Sequence, residues 1–427
     1  MTDGKIVNKA LKKNFISLLS GSAASSLFLF FSMLLIARGT SLRDYGIYVI
    51  LFSVMEVLNR VLIPQSWVAY VKFATEEIER NNQTRLIKLF NYSVLADFLG
   101  GIAVFLMGFL LIDYVRLLFD IEIKYSDLSL LMLLFCFAYM GEIYIGVLRV
   151  NGQYSLQVSI LTIESFLKFF VVSCVYFLDG EIFDYALSII VVQILCVLIK
   201  IQASRYSIYR RVRTMEVGVG VDREYLKRYF HFLWFNNLNS SLRVVSRKFD
   251  IFLIGSLISK ELVAVYSVAV NISNIFSRFC DPVYQLIYPR FAVFVAKNDL
   301  KNTLIEFKKI IILMSFISLI AYLLYYLFAE FAIELLYGDE YLQAYTVGLV
   351  YLIAVIIAVI SMPITPLMNA IGLVKEGFYS QLISTVLYMM MLVILVNIWG
   401  VLGAALAYIL YYLLWVSLCA RYLYKEL

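Results

Sequence analysis

Runs of about 20 or more mostly apolar residues recur along the whole sequence, and each is long enough to cross a bilayer as a helix. They fall near 15–37, 45–71, 89–112, 127–148, 154–178, 183–203, 231–258, 262–289, 308–329, 344–370, 377–398 and 400–420. Lipid offers no partner to a backbone N–H or C=O, so a spanning segment is either a helix or a strand of a closed barrel. Barrel strands alternate in polarity, and these runs do not, so they predict helices. Apolar residues make up 63% of the 427 and charged residues only 15%, well below the charged share of a soluble domain.

The first run follows Lys5, Lys9, Lys12 and Lys13 and ends at Arg38 with no small-residue cleavage site, so it predicts an uncleaved span rather than a signal peptide. Basic residues are retained on the cytoplasmic side of a membrane. An inside N-terminus places that lysine cluster, Lys72 to Lys88, Arg290 to Lys309 and the basic linker near 204–228 on that side, with few cations left for the outer loops. Both termini are then cytoplasmic. The linker divides the chain into 1–213, a basic segment at 214–228, and 229–427, predicting two six-helix bundles. The net charge of +6 follows from this topology and gives no reason to invoke nucleic acid.

The halves echo each other. Ile36 to Tyr48 reads IARGTSLRDYGIY, and 218 residues later Ile254 to Tyr266 reads IGSLISKELVAVY. The same offset carries Arg60 onto Arg278 and Pro64 onto Pro282. Halves with an even number of spans run in parallel, a recurrent transporter plan with the substrate held near the bilayer midplane.

Several stretches resemble Wzx-type polysaccharide flippases of the multidrug/oligosaccharidyl-lipid/polysaccharide exporter (MOP) superfamily. They are Leu34 to Gly39 with Tyr45-Gly46-Ile47-Tyr48, the set Arg247, Asp250, Gly255 and Tyr266, the stretch Leu336 to Tyr341, and Gly400 to Ala407. The resemblance implies an all-α membrane fold of about twelve spans, in two parallel six-helix bundles around a central cavity. It also implies a bacterial cytoplasmic (inner) membrane location and an undecaprenyl-diphosphate-linked oligosaccharide as substrate. The substrate would be moved outward for O-antigen, lipopolysaccharide, capsule or related polymer assembly, beside a polymerase or chain-length regulator. A cleft complete within one chain predicts a monomer.

A charge at bilayer depth costs at least about 2.5–3.5 kcal/mol on insertion scales and normally faces a partner or a water-filled cavity. For a diphosphate headgroup the cationic candidates are Arg60, Arg243, Arg247, Arg278, Lys168 and Lys248. Arginine suits phosphate because its fork donates two hydrogen bonds and keeps its charge. The plainer reading is pairing along one helix, Glu56 with Arg60, Glu164 with Lys168, and Arg247 with Asp250. Glu56, Asp97, Glu142 and Glu164 are the carboxylates available for ion coupling, and their spacing selects none of them.

Other chemistry is poorly supported. The five cysteines lie apart in apolar stretches, and a single histidine, His231, offers no metal or acid–base centre. Gly218-Val219-Gly220 lacks the context of a nucleotide site, no P-loop motif occurs, and no cofactor is expected. Two other functions compete with the flippase. A drug or metabolite exporter of the same superfamily would favour an acidic cavity, whereas the seventh and eighth runs carry Arg243, Arg247, Lys248 and Arg278 against Asp250 and Asp281. A membrane polysaccharide polymerase would need larger extramembrane loops than these.

Overall fold

A computed structural model describes residues 2–80, 83–211, 223–296 and 299–426, and their regular structure is helical throughout. The helices are α1 (Thr2–Gly39), α2 (Leu42–Leu62), α3 (Ser66–Glu79), α4 (Gln83–Leu118), α5 (Ser126–Leu133), α6 (Ile143–Val150) and α7 (Tyr154–Phe177). They continue as α8 (Ile182–Arg211), α9 (Arg223–Leu257), α10 (Lys260–Ala296), α11 (Leu300–Tyr337), α12 (Gln343–Ile360), α13 (Ile364–Ala370) and α14 (Val374–Glu426). Short 3₁₀ turns join some of them, including Leu134–Tyr139 between α5 and α6.

Among the described residues, eight stretches are long and apolar enough to cross a membrane. This is the all-helical, multi-pass membrane protein that the apolar runs predict. α9 and α10 are not among the eight, and α9 carries Arg243, Arg247, Lys248 and Asp250. α14, with 53 residues, would extend roughly 80 Å if straight, far beyond a hydrocarbon core of about 30 Å. It is interrupted at Gly400, where φ is 58° and ψ is −135°, a combination open to glycine and closed to other residues. That break falls at the first residue of the run predicted at 400–420.

The chain forms two compact units. The first comprises Met1–Thr40 and Ile47–Lys248, the second Ser41–Gly46 and Phe249–Leu427. The linker residues 212–222, with Gly218-Val219-Gly220, lie outside the described residues.

In the first unit α1 lies along α7. A Cβ on Gly21 would come within 1.8 Å of Val158, so only glycine allows this approach. The Ser25 and Ser165 hydroxyls share a hydrogen bond, Thr162 donates to the Gly21 carbonyl, and Phe28 meets Phe166 edge-on. Close packing at small residues and interhelical hydrogen bonds do this work in lipid, where apolar surface alone gives no preference for helix over lipid tail. A second core joins α3, α4, α6 and the start of α9, with Tyr70, Phe73, Phe90, Val147, Tyr225 and Tyr229 buried together. In the second unit Ile287, Phe291, Leu367, Met368 and Leu423 form one core. Tyr266, Tyr351, Tyr388, Tyr408 and Tyr411 stack in another cluster, Tyr351 on Tyr408 at 5.0 Å between ring centres. Large side chains left outside these cores, such as Phe316, Leu327 and Phe331 on α11, suit a surface bathed in lipid.

The sequence echo has a structural counterpart. Ser41 Oγ accepts from the Asp44 N–H at the start of α2, and Ser259 Oγ accepts from the Leu262 N–H at the start of α10. Both are N-cap bonds, and the two serines are 218 residues apart. Within the second unit Arg43 pairs with Glu261 at 3.9 Å, again at equivalent positions, and both are well exposed. Beyond the caps the echo weakens. α2 stops before Pro64, while α10 is helical through position 282, and the side chain of Pro282 lies outside the described residues.

Gly46 sits where α2 meets the first residue of α10, and a Cβ there would be 1.9 Å from the Lys260 carbonyl oxygen. Gly46→Ala is therefore expected to lower stability by about 1–3 kcal/mol. Gly377→Ala, whose added Cβ meets nothing closer than 3.8 Å, should cost nothing. Thermal unfolding of both variants in detergent, followed by size-exclusion fluorescence, checks the contrast.

Candidate functional site

Several charges of the first unit lie near the interruption between α2 and α3. Pro64 has no N–H, so the carbonyl four residues earlier, that of Arg60, loses its helical donor. Ser241 Oγ donates to that carbonyl at 2.8 Å, and Asn237 Nδ2 donates to the carbonyl of Val61 at 2.8 Å. Both side chains come from α9, one turn apart. Asn59, inside α2, donates to the carbonyls of Met55 and Phe135.

With the backbone secured, Arg60 points to Glu142, just before α6, at 3.2 Å. Glu56 pairs with Lys248 at 3.0 Å. The Glu56–Arg60 pairing along one helix is therefore replaced by two pairs with other segments. These side chains are about a quarter exposed (25% for Arg60, 23% for Glu142), so they retain contact with water.

A third cluster is drier. Glu164 holds Lys168 at 2.8 Å, as the i, i+4 spacing predicts, and also Lys200 at 2.6 Å. Lys168 donates in addition to Gln193. By sequence Lys200 groups with the linker cations, but α8 runs on to Arg211, which leaves Lys200 about 16 Å from the helix end. There it is buried against Tyr144.

Asp97 differs from these. It is 1% exposed and accepts from Ser66 Oγ at 2.8 Å, while its Oδ1 has no hydrogen-bond partner. No ion pair joins it among the described residues.

The remaining candidates are divided between the two units. Arg247 and Arg278 are both exposed, the first in the first unit and the second in the second unit. Arg278 has no ion pair among the described residues. The side chains of Arg243 and Asp281 lie outside the described residues. Asp250 is buried in the second unit, accepting from Tyr266 Oη at 2.6 Å and from the Ile251 N–H. Sequence reading missed Lys200, Asn237 and Ser241. The signal for the last two was available, since a proline within a spanning helix calls for polar side chains on a neighbour.

A family model described as "Polysaccharide biosynthesis protein" matches residues 35–346. A search of curated proteins finds no match. Solved structures share the fold. An inward-facing multidrug resistance MATE family transporter of the MOP superfamily aligns with a TM-score of 0.77 at 13% identity, covering 94% of each chain. The lipid II flippase MurJ, in an inward closed conformation, aligns at 0.74 and 14% identity over 96% of this chain and 87% of its own. A MOP-superfamily transporter from Pyrococcus furiosus, described by the reversed polarity of its binding pocket, aligns at 0.66 and 15% identity, with 98% and 95% covered.

Replacing Glu164 by Gln leaves the buried Lys200 and the half-buried Lys168 without their counter-charge. The expected loss is about 3–5 kcal/mol. Adding Lys168→Met should recover part of it, and thermal unfolding of the single and double variants measures the coupling.

Proposed function

The chain belongs to the polysaccharide biosynthesis family, and we propose that it flips an undecaprenyl-diphosphate-linked oligosaccharide from the inner to the outer leaflet of a bacterial cytoplasmic membrane. The family match over residues 35–346 carries this reading. The fold is one shared by transporters and by a flippase of lipid II, which supports transport over polymerisation. The product would enter O-antigen, capsule or related polymer assembly, passing to a polymerase or chain-length regulator, with the flippase acting as a monomer. About twelve spans, with both termini cytoplasmic, would carry it by alternating access.

Arg247 on α9 and Arg278 on α10, both exposed, would offer donors to the diphosphate. Arg60, Lys248 and Lys168 hold acids, so each would reach phosphate only by exchanging partners. The side chain of Arg243 belongs with them by sequence alone. Energy for the cycle would come from an ion acting on one of Glu56, Asp97, Glu142 and Glu164.

Export of a drug or metabolite is the second reading, and the shared MATE fold favours it. Deleting the gene in its host and assigning the leaflet of any accumulated lipid-linked oligosaccharide separates the two. Accumulation on the cytoplasmic face, cleared by the intact gene and not by Arg278→Ala, is the expected result. Normal lipid distribution after deletion would leave the exporter.

A further inference from the structure

Four carboxylates were open to ion coupling, and the structure separates one from the rest. Glu56 holds Lys248, Glu142 holds Arg60, and Glu164 holds Lys168 and Lys200. A proton arriving at any of these three competes with a cation already there. Among the described residues Asp97 has the Ser66 hydroxyl alone, with its second oxygen buried and unpartnered.

Its position adds to this. Ser93, Asp97 and Gly100 lie on one face of α4. Ser93 hydrogen-bonds Tyr229 of α9, and Asp97 takes Ser66, the first residue of α3. A Cβ on Gly100 would come within 3.0 Å of Ile63 Cα and of the Leu62 carbonyl. This face of α4 therefore rests against the interrupted segment itself, and Asp97 is the acid that touches it. Among the described residues the groups facing it are Glu142, which acts on it through space while held by Arg60, and Tyr229 by way of Ser93. One carboxylate and one hydroxyl supply far fewer oxygens than a metal cation's usual shell of six or more, but they suffice for a proton.

We propose that Asp97 is the proton-binding site of this transporter, and that gain and loss of its proton loosens and fastens the α2–α3 junction through Ser66. The proton bonds to the free Oδ1 and leaves from it. The proposal rests on the transport reading, but its test uses no transport substrate.

Trp67 adjoins Ser66, with its backbone against Gly146 and Arg149 stacked on its ring. In the full-length chain in lipid nanodiscs, Trp234, Trp399 and Trp415 are replaced by Phe, and the single histidine, His231, by Gln. Trp67 emission is then followed against pH. One protonation step is expected, lost in Asp97→Asn, displaced in Asp97→Glu and retained in Glu142→Gln. Asp97→Glu covers the case in which the Asn variant does not fold. A step that persists in Asp97→Asn, is unmoved in Asp97→Glu, or follows Na⁺ rather than pH overturns the proposal, as does its absence from the parent protein. A normal titration in a protein whose deletion leaves the host's lipids unchanged would overturn the flippase reading alone.

Discussion

Inside a bilayer an unmet backbone carbonyl has no water to turn to, and the first unit is arranged around two of them. Pro64 removes the donor that Arg60's carbonyl would have used, and the segment 63–65 is lost from helix. α9 supplies the missing partners through Ser241 and Asn237, which holds it beside the end of α2. Glu142 receives Arg60, α3 restarts at a serine within reach of Asp97, and a glycine on α4 admits the irregular backbone. Changing Pro64 would therefore alter an ion pair, a helix start and a carboxyl contact together.

Electrostatics follow from this backbone arrangement. Buried charges in the first unit are held mostly by partners from other segments, which satisfies each one while leaving it dependent on the packing of two helices. Exchange of partners is then a route by which a mobile anion could compete for a cation without exposing it to lipid.

Helices were readable from the apolar runs because length and polarity suffice to specify them in a membrane. The break at Gly400 falls where one run gives way to the next, and glycine is what permits its backbone angles. Charge pairing was readable only where it was local. Glu164 and Lys168 obey the one-turn rule, while Glu56 and Arg60 break it because Lys248 and Glu142 lie nearer in space. Lys200 looked like part of a basic linker because nothing local marks where a helix stops before residues 212–222. The repeat was partly legible. Equivalent serines do cap α2 and α10, yet Pro64 interrupts one helix while the other continues through position 282.

Six residues of the N-terminal part of the chain, Ser41–Gly46, belong structurally to the second unit, with Tyr45 buried beside Tyr341 and Gly46 against Lys260. A cut through the linker would therefore not yield two self-sufficient proteins. The later fragment would lack the strap that covers the start of α10, and the earlier one would carry it with nothing to cover. On the ribosome the same fact imposes an order. Ser41–Gly46 emerges long before Lys260 and Glu261 exist to receive it.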